Sequence, residues 1–174
     1  NERDINKTNL GAPKSERNRA GIIAGATVLI LSHGVMVAVM TMTPIQMQSH
    51  GASLSAVGLV IGLHITSMYL PSLVTGILVD KVGRTVMVIA SGITLAVAGI
   101  MAALAPGDSL FWLIFALMLL GLGWNFGLIS GTAIIIDSTD MKTRAKTQGT
   151  IDVWVALAGT TGGLLSGIIV AYWS

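Results

Sequence analysis

Residues 110–136 read LFWLIFALMLLGLGWNFGLISGTAIII, without a Lys or an Arg. A helix rises ~1.5 Å per residue, so ~20 apolar residues cross a ~30 Å hydrocarbon core. This stretch is long enough to do so. Working outward, four more stretches share the pattern: Ala20–Met42, Leu54–Val79, Thr85–Ala105 and, after a polar break, about Gln148–Trp173. Composition reaches the same answer separately. The chain has 174 residues, 53% hydrophobic and 10% charged, with a mean hydropathy of +0.80. A soluble domain carries about 25% charged residues. A chain this apolar needs lipid as its solvent. The expected fold is all-α: a polytopic transmembrane helix bundle over residues 20–174, behind a hydrophilic tail over residues 1–19.

The breaks between the stretches carry turn chemistry: Pro44 to Ser53, Asp80 to Arg84, Pro106-Gly107-Asp108, and Asp137 to Thr147. Five spans alternate sides, which puts the tail and the second and fourth breaks on one face. That face collects Arg3, Lys7, Lys14, Arg17, Arg19, Lys81, Arg84, Lys142, Arg144 and Lys146, all 10 of the Lys and Arg residues. Cytoplasmic loops carry this excess, so the tail is expected in the cytoplasm and the chain in the cell membrane, multi-pass, with lipid as its partner. Trp112, Tyr172 and Trp173 fall at the outer ends, where amphipathic rings favour the interface; Trp124 and Trp154 do not fit that belt. The basic residues have this topological explanation and are not interleaved with aromatics, so no nucleic-acid partner is expected. The sequon at Asn6-Lys7-Thr8 reads as chance on a cytoplasmic tail. No signal peptide is visible, and the chain is expected to be part of a longer protein. The absence of cysteine excludes disulfides, thiolate metal sites and Cys nucleophiles. No metal or cofactor is expected.

The second stretch runs into Gly76-Ile77-Leu78-Val79-Asp80-Lys81-Val82-Gly83-Arg84-Thr85. Gly76 permits a close helix crossing. Asp80, placed just past a helix end, can face the positive N-terminus of a neighbouring helix. Gly83 allows a tight turn with positive φ. Arg84 can pair with a carboxylate at the cytoplasmic end of another span, for which Asp137 is the best candidate; the other reading makes Lys81 and Arg84 topology anchors only. The fourth span has Gly123, Gly127 and Gly131 at four-residue spacing, and the fifth has Gly159, Gly163 and Gly167. Small-residue faces let helix backbones approach closely in lipid.

The loop resembles the signature of major facilitator transporters, G-x-x-x-D-(R/K)-x-G-R-(R/K), with Thr85 in place of the last basic residue. Met42-Thr43-Pro44 through Gly58, the run from His64 to Ser72, and Gln148-Gly149-Thr150-Ile151-Asp152 resemble helices seven, eight and eleven of bacterial members. The resemblance covers residues 20–174 and implies half of a major facilitator fold, helices seven to eleven. The N-terminal half and the twelfth helix then lie outside this chain, and residues 1–19 belong to a central linker. It also implies an inverted repeat, a gating role for the motif loop, a peripheral third span, and alternating access driven by a proton gradient.

Few polar residues lie deep in the spans, and an ionisable group there usually faces a cavity or a partner. His33 and His64 are candidates to sense or carry a coupling proton; the other reading is a neutral histidine hydrogen-bonded between helices. Asn125 lines a cavity or bonds across an interface. Asp152, about one turn into the fifth span, belongs to the proton or substrate path or pairs with Arg144 or Lys146. Pro71 is expected to kink its helix. The expected function is secondary active transport of a small molecule, proton-coupled, with efflux as one direction. The alternative is a non-transporting membrane scaffold or assembly subunit. An intramembrane enzyme is not expected: no H-E-x-x-H is present, and Ser130 and Ser166 lack a nucleophile-elbow context.

Overall fold

A computed structural model describes residues 18–106 and 109–173. The tail with Arg3, Asn6, Lys7, Lys14 and Arg17, and Gly107 and Asp108 of the outer turn, lie outside the described residues. Six helices follow one another: α1 (Arg19–Ser49), α2 (Leu54–Tyr69), α3 (Ser72–Val82), α4 (Arg84–Leu104), α5 (Leu110–Ser138) and α6 (Arg144–Trp173). No strand occurs among the described residues. Helices α2 and α3 share one apolar segment interrupted at Leu70–Pro71, so the six helices make five segments long and apolar enough to cross a membrane.

The helix ends follow from local chemistry, and three differ from the sequence reading. Asn18 caps α1 by accepting from the Gly21 amide at 3.2 Å, and Ser53 caps α2 by accepting from the Ala56 amide at 3.3 Å. Helix α1 does not stop at Met42; it runs through Pro44 to Ser49. Proline forfeits one backbone bond, but lipid offers the backbone no competing partner, and the Thr43 hydroxyl donates to the Val39 carbonyl at 2.9 Å beside the gap. The turn is left to His50–Ser53, where Gly51 has φ +79°. Helix α3 ends at Val82, so Asp80 lies in its last turn and not beyond it. Helix α6 starts at Arg144, so Asp152 stands eight residues in (152 − 144), ~12 Å along the axis.

Helix α5 is the hub. It packs against α4, α1, α2 and α3, and 50% of its span is buried, against 6% for α6. The main core gathers around it: Met36, Val60, Met68, Leu95, Leu117, Leu120 and Trp124. Helix α4 buries Met87, Ser91, Leu95 and Ala98, every third or fourth residue, against α5. Its other side, with Ile89, Ile93, Val97 and Ile100, is exposed, as suits a lipid-facing surface. The Ser91 hydroxyl donates to the Gly123 carbonyl at 2.7 Å, so the polar group on the buried stripe is satisfied. Helix α6 rests mainly on α1.

The glycine stripes are used unevenly. On α5, a Cβ at Gly123 would stand 3.0 Å from Leu95, at Gly127 2.8 Å from the Ser91 hydroxyl, and at Gly131 3.1 Å from Leu29. That stripe is a seam passing from α4 to α1. On α6 the tight positions are Gly159, 2.8 Å from His33 Nε2, and Gly162, 2.6 Å from the Gly34 carbonyl oxygen. Gly163 and Gly167 have ordinary contacts at 3.5 and 3.7 Å, because the helices have diverged there. Gly76 marks no crossing: a Cβ there meets nothing within 4 Å.

Candidate functional site

At the basic end, three helix N-termini gather around the C-terminus of α5. Gly83, with φ +94°, turns the chain from α3 into α4 in a single residue, a conformation other residues rarely adopt. That turn sets Arg84 beside the hub helix, and its Nε lies 2.5 Å from Asp137 Oδ2. The contact is charge on charge more than an aligned hydrogen bond. Both side chains are partly exposed, 38% and 49%, so the pair contributes about 0.2–1 kcal/mol. A carboxylate at a helix C-terminus opposes its own helix dipole, and Arg84 offsets that. From α6, Arg144 Nη2 donates to the Ile136 carbonyl at 3.2 Å. From the start of α1, the Asn18 amide donates to the Ser138 carbonyl at 3.1 Å. Asp80, Lys81, Lys142 and Lys146 are exposed around this end.

A second polar group sits at mid-span. Leu117, Gly121 and Asn125 lie four residues apart on α5 and form one stripe. All three meet the second span. His64, 1% exposed, bonds through Nδ1 to the Leu117 carbonyl at 2.8 Å. A carbonyl only accepts, so Nδ1 carries the hydrogen, and Nε2 has no partner among the described residues. Gly121 makes the approach possible: a Cβ there would come within 2.6 Å of the His64 carbonyl oxygen. Asn125, fully buried, donates to the Met68 carbonyl at 2.7 Å and the Ser72 hydroxyl at 2.9 Å, and accepts from the Thr75 hydroxyl at 2.6 Å. Met68 lies in the last turn of α2, where carbonyls lack helical partners. Asn125 therefore bridges the Leu70–Pro71 interruption, taking bonds from both sides of it.

One residue back along α5, about 100° round the helix, Trp124 Nε1 donates to His33 Nδ1 at 3.3 Å. Its ring packs edge-on against Tyr69, centroids 5.8 Å apart. His33, half-buried, lines a shallow groove between α1 and α6 with Thr41, Gly159 and Thr160. A larger cavity of about 900 Å³ opens at the opposite end from the basic residues, among Met42, Gln46, His50, Ala102, Ser109 and Ser166. The structure thus brings Arg84 to Asp137, and His64, Asn125 and His33 to α5. It leaves Asp152 exposed on α6, apart from them. Sequence reasoning missed Trp124 as the partner of His33. The signal was its failure to fit the interfacial belt: an indole at mid-span needs an acceptor for its N–H. Ser72 and Thr75 lie at helical spacing from His64 in the sequence, but both bond to Asn125.

Four apolar segments gathered around a fifth, with a glycine-turned basic loop tied to that hub helix, make a polytopic membrane-helix bundle. The chain matches the Major Facilitator Superfamily over residues 24–174, and it belongs to that family. It is 64% identical over 171 residues to the uncharacterised MFS-type transporter YdeG of Bacillus subtilis, covering 98% of this chain and 40% of that protein. It is 63% identical over 155 residues to YddS of the same organism, covering 89% of this chain and 36% of that one. It is 38% identical over 124 residues to the riboflavin transporter RfnT of Brucella anthropi, covering 71% and 30%. The multi-drug resistance efflux pump PmrA of Streptococcus pneumoniae is 32% identical over 112 residues, covering 64% and 27%. The chain therefore spans well under half the length of these relatives. No solved structure matches it.

Proposed function

We propose that the chain is the C-terminal half of a secondary active transporter in the cell membrane. In this reading it moves a small molecule by alternating access against an N-terminal half, with a twelfth helix following and residues 1–19 in a cytoplasmic linker. The observation that carries it is the tie at the basic end. The Arg84–Asp137 pair links the turn between the second and third spans to the hub helix through two partly exposed charges. A contact this weak is made and broken at little cost, which is what a gate at one end of a rocking bundle needs. The positive-inside pattern supports a cytoplasmic position for that end. Proton coupling is part of the proposal, with His33, His64, Asn125 and Asp152 as candidates for the proton or substrate path. Among the described residues, the mid-span groups on α1, α2 and α5 carry no fixed charge, which favours an uncharged or singly charged solute. Relatives named for riboflavin transport and for multi-drug efflux bracket the substrate range to test.

The test is solute flux in proteoliposomes containing the full-length protein, with riboflavin and a lipophilic cationic dye as probes and an imposed pH gradient. Gradient-dependent accumulation of either, abolished by a protonophore, supports the reading. Asp137→Asn should slow flux while leaving probe binding intact. Folded protein that accumulates neither probe, nor any of a panel of neutral metabolites, counts against transport and favours a scaffold role.

A further inference from the structure

An indole N–H donates a hydrogen bond and never accepts one. Trp124 Nε1 faces Nδ1 of His33 at 3.3 Å, so Nδ1 is bare, the hydrogen sits on Nε2, and the ring is neutral. On its other side the ring meets α6, where a Cβ at position 159 would come within 2.8 Å of Nε2. The imidazole is therefore held between an indole on one helix and a bare backbone on another. The Nε2 side borders a groove of about 530 Å³ whose Thr41 and Thr160 hydroxyls already donate to the Val37 and Ala156 carbonyls.

Adding a proton to this ring places an N–H on Nδ1 opposite the indole N–H. Two donors then face each other, and the indole has no lone pair to offer; only a reorientation that turns its π face to the imidazolium could receive the new N–H. One ring must move, and the nearby Gly159 backbone limits how far the imidazole can shift toward α6. Trp124 in turn packs on Tyr69, the last residue of α2, next to the Leu70–Pro71 interruption. A shift of the indole is thus transmitted to the weakest point of the second span.

The geometry points to His33 as a proton-binding site whose loading breaks the Trp124–His33 bond and loosens the mid-span contact of α1 with the hub helix. The groups facing His33 are Trp124 from α5 and Gly159 and Thr160 from α6, with Tyr69 of α2 behind Trp124. None is charged at neutral pH. On α2, His64 turns its Nδ1 to Leu117. Helix α4 has no titratable residue beyond Arg84. Asp152 on α6 precedes Gly159 by seven residues, ~10 Å along the axis. The switch depends on the transport reading only in naming this proton as the coupling ion.

The experiment is ¹⁵N NMR of the full-length protein in lipid nanodiscs, labelled at His and Trp. The His33 and Trp124 signals are assigned by their loss in His33→Gln and Trp124→Phe. At alkaline pH the His33 spectrum should show a bare Nδ1 and a protonated Nε2. On acidification the Trp124 N–H resonance should shift with the midpoint of His33, and the shift should vanish in His33→Gln. An Nδ1–H tautomer, a Trp124 resonance flat with pH, or an unchanged shift in His33→Gln overturns the proposal. If His33→Gln does not fold, the tautomer of the unaltered protein and its shared midpoint with Trp124 decide alone. In proteoliposomes, His33→Gln should lose gradient-driven accumulation about tenfold while keeping solute exchange. Unchanged coupling there removes His33 from the mechanism and leaves transport standing. A titrating latch in a protein that moves no solute removes transport and leaves the latch.

Discussion

The hub helix α5 holds its two neighbours in different ways. Toward the second span it offers a stripe of Leu117, Gly121 and Asn125 and makes four hydrogen bonds of 2.6–2.9 Å, to residues that are buried or nearly so. Toward the first span, at this depth, it offers the Trp124 N–H, in one bond of 3.3 Å to a half-buried imidazole. The two histidines consequently have opposite tautomers. His64 presents an N–H to a carbonyl and keeps a bare Nε2 without a partner among the described residues; His33 presents a bare Nδ1 and keeps its hydrogen for the groove. The first arrangement is an anchor with several redundant bonds. The second is a single bond whose sign reverses when one proton is added.

The largest expected effect is on the anchor. Asn125→Leu removes three bonds and leaves the Ser72 and Thr75 hydroxyls and the Met68 carbonyl without that partner. Interhelical bonds in membranes contribute about 0.6 kcal/mol each, and buried orphans cost more, so the loss should be about 2–3 kcal/mol. Thermal unfolding of the full-length protein in detergent reads it, and a loss below that of Trp124→Phe would erase the contrast between the two faces.

Next comes the pair of tight glycines. In Gly121→Ala the new methyl meets the His64 backbone oxygen, and backbone cannot step aside; α2 and α5 must separate, at about 1–3 kcal/mol. In Gly159→Ala the methyl meets the end of the His33 imidazole, which can tilt. That change should cost less in stability and more in the Trp124 N–H resonance. Equal stability losses at the two sites would mean that His33 is held as rigidly as the second span.

A third prediction turns on the orphan. His64→Leu gives up one hydrogen bond but also removes a buried Nε2 with no partner, and the Leu117 carbonyl keeps its place in the α5 ladder. The two effects oppose each other, so stability should stay within about 1 kcal/mol of the parent. A large loss would indicate that Nε2 has a partner outside the described residues.

How far these contrasts could be read from the sequence depends on their reach. The spans, the basic face, the positive-φ turn at Gly83 and Asp137 as a partner for Arg84 all follow from local pattern: hydropathy length, charge position and one glycine between two helices. The exact helix ends were less legible. Pro44 looks like a stop because proline stops helices in water, but in lipid the backbone has nowhere better to bond. The mid-span sites were half legible. A buried His or Asn announces that it needs a partner but does not say which. His64 and Ser72 to Thr75 fall on one helical face, yet the interruption at Pro71 hands the serine and threonine to Asn125. Tautomers follow from the partner, so they had no signature in the sequence at all.

The smallest expected effect concerns the second glycine stripe, where sequence and contact part company. Gly159, Gly163 and Gly167 look equivalent at four-residue spacing, but only the first is tight, and the unremarked Gly162 is tighter. Helices α1 and α6 therefore cross near Gly34 and Gly162 and splay beyond. Ser166, Ile169 and Val170 then line the opening cavity of about 900 Å³. An added methyl at Gly163 or Gly167 enters ordinary contact, so Gly163→Ala and Gly167→Ala should each move stability by no more than about 0.5 kcal/mol. Gly162→Ala, one residue from Gly163, should cost more, because its methyl meets the Gly34 backbone. If all three cost alike, the helices stay close along their whole length and the cavity closes. A close approach held only near His33 and Gly34 keeps α6 on α1, so the two helices share the one latch to the hub, the His33–Trp124 bond.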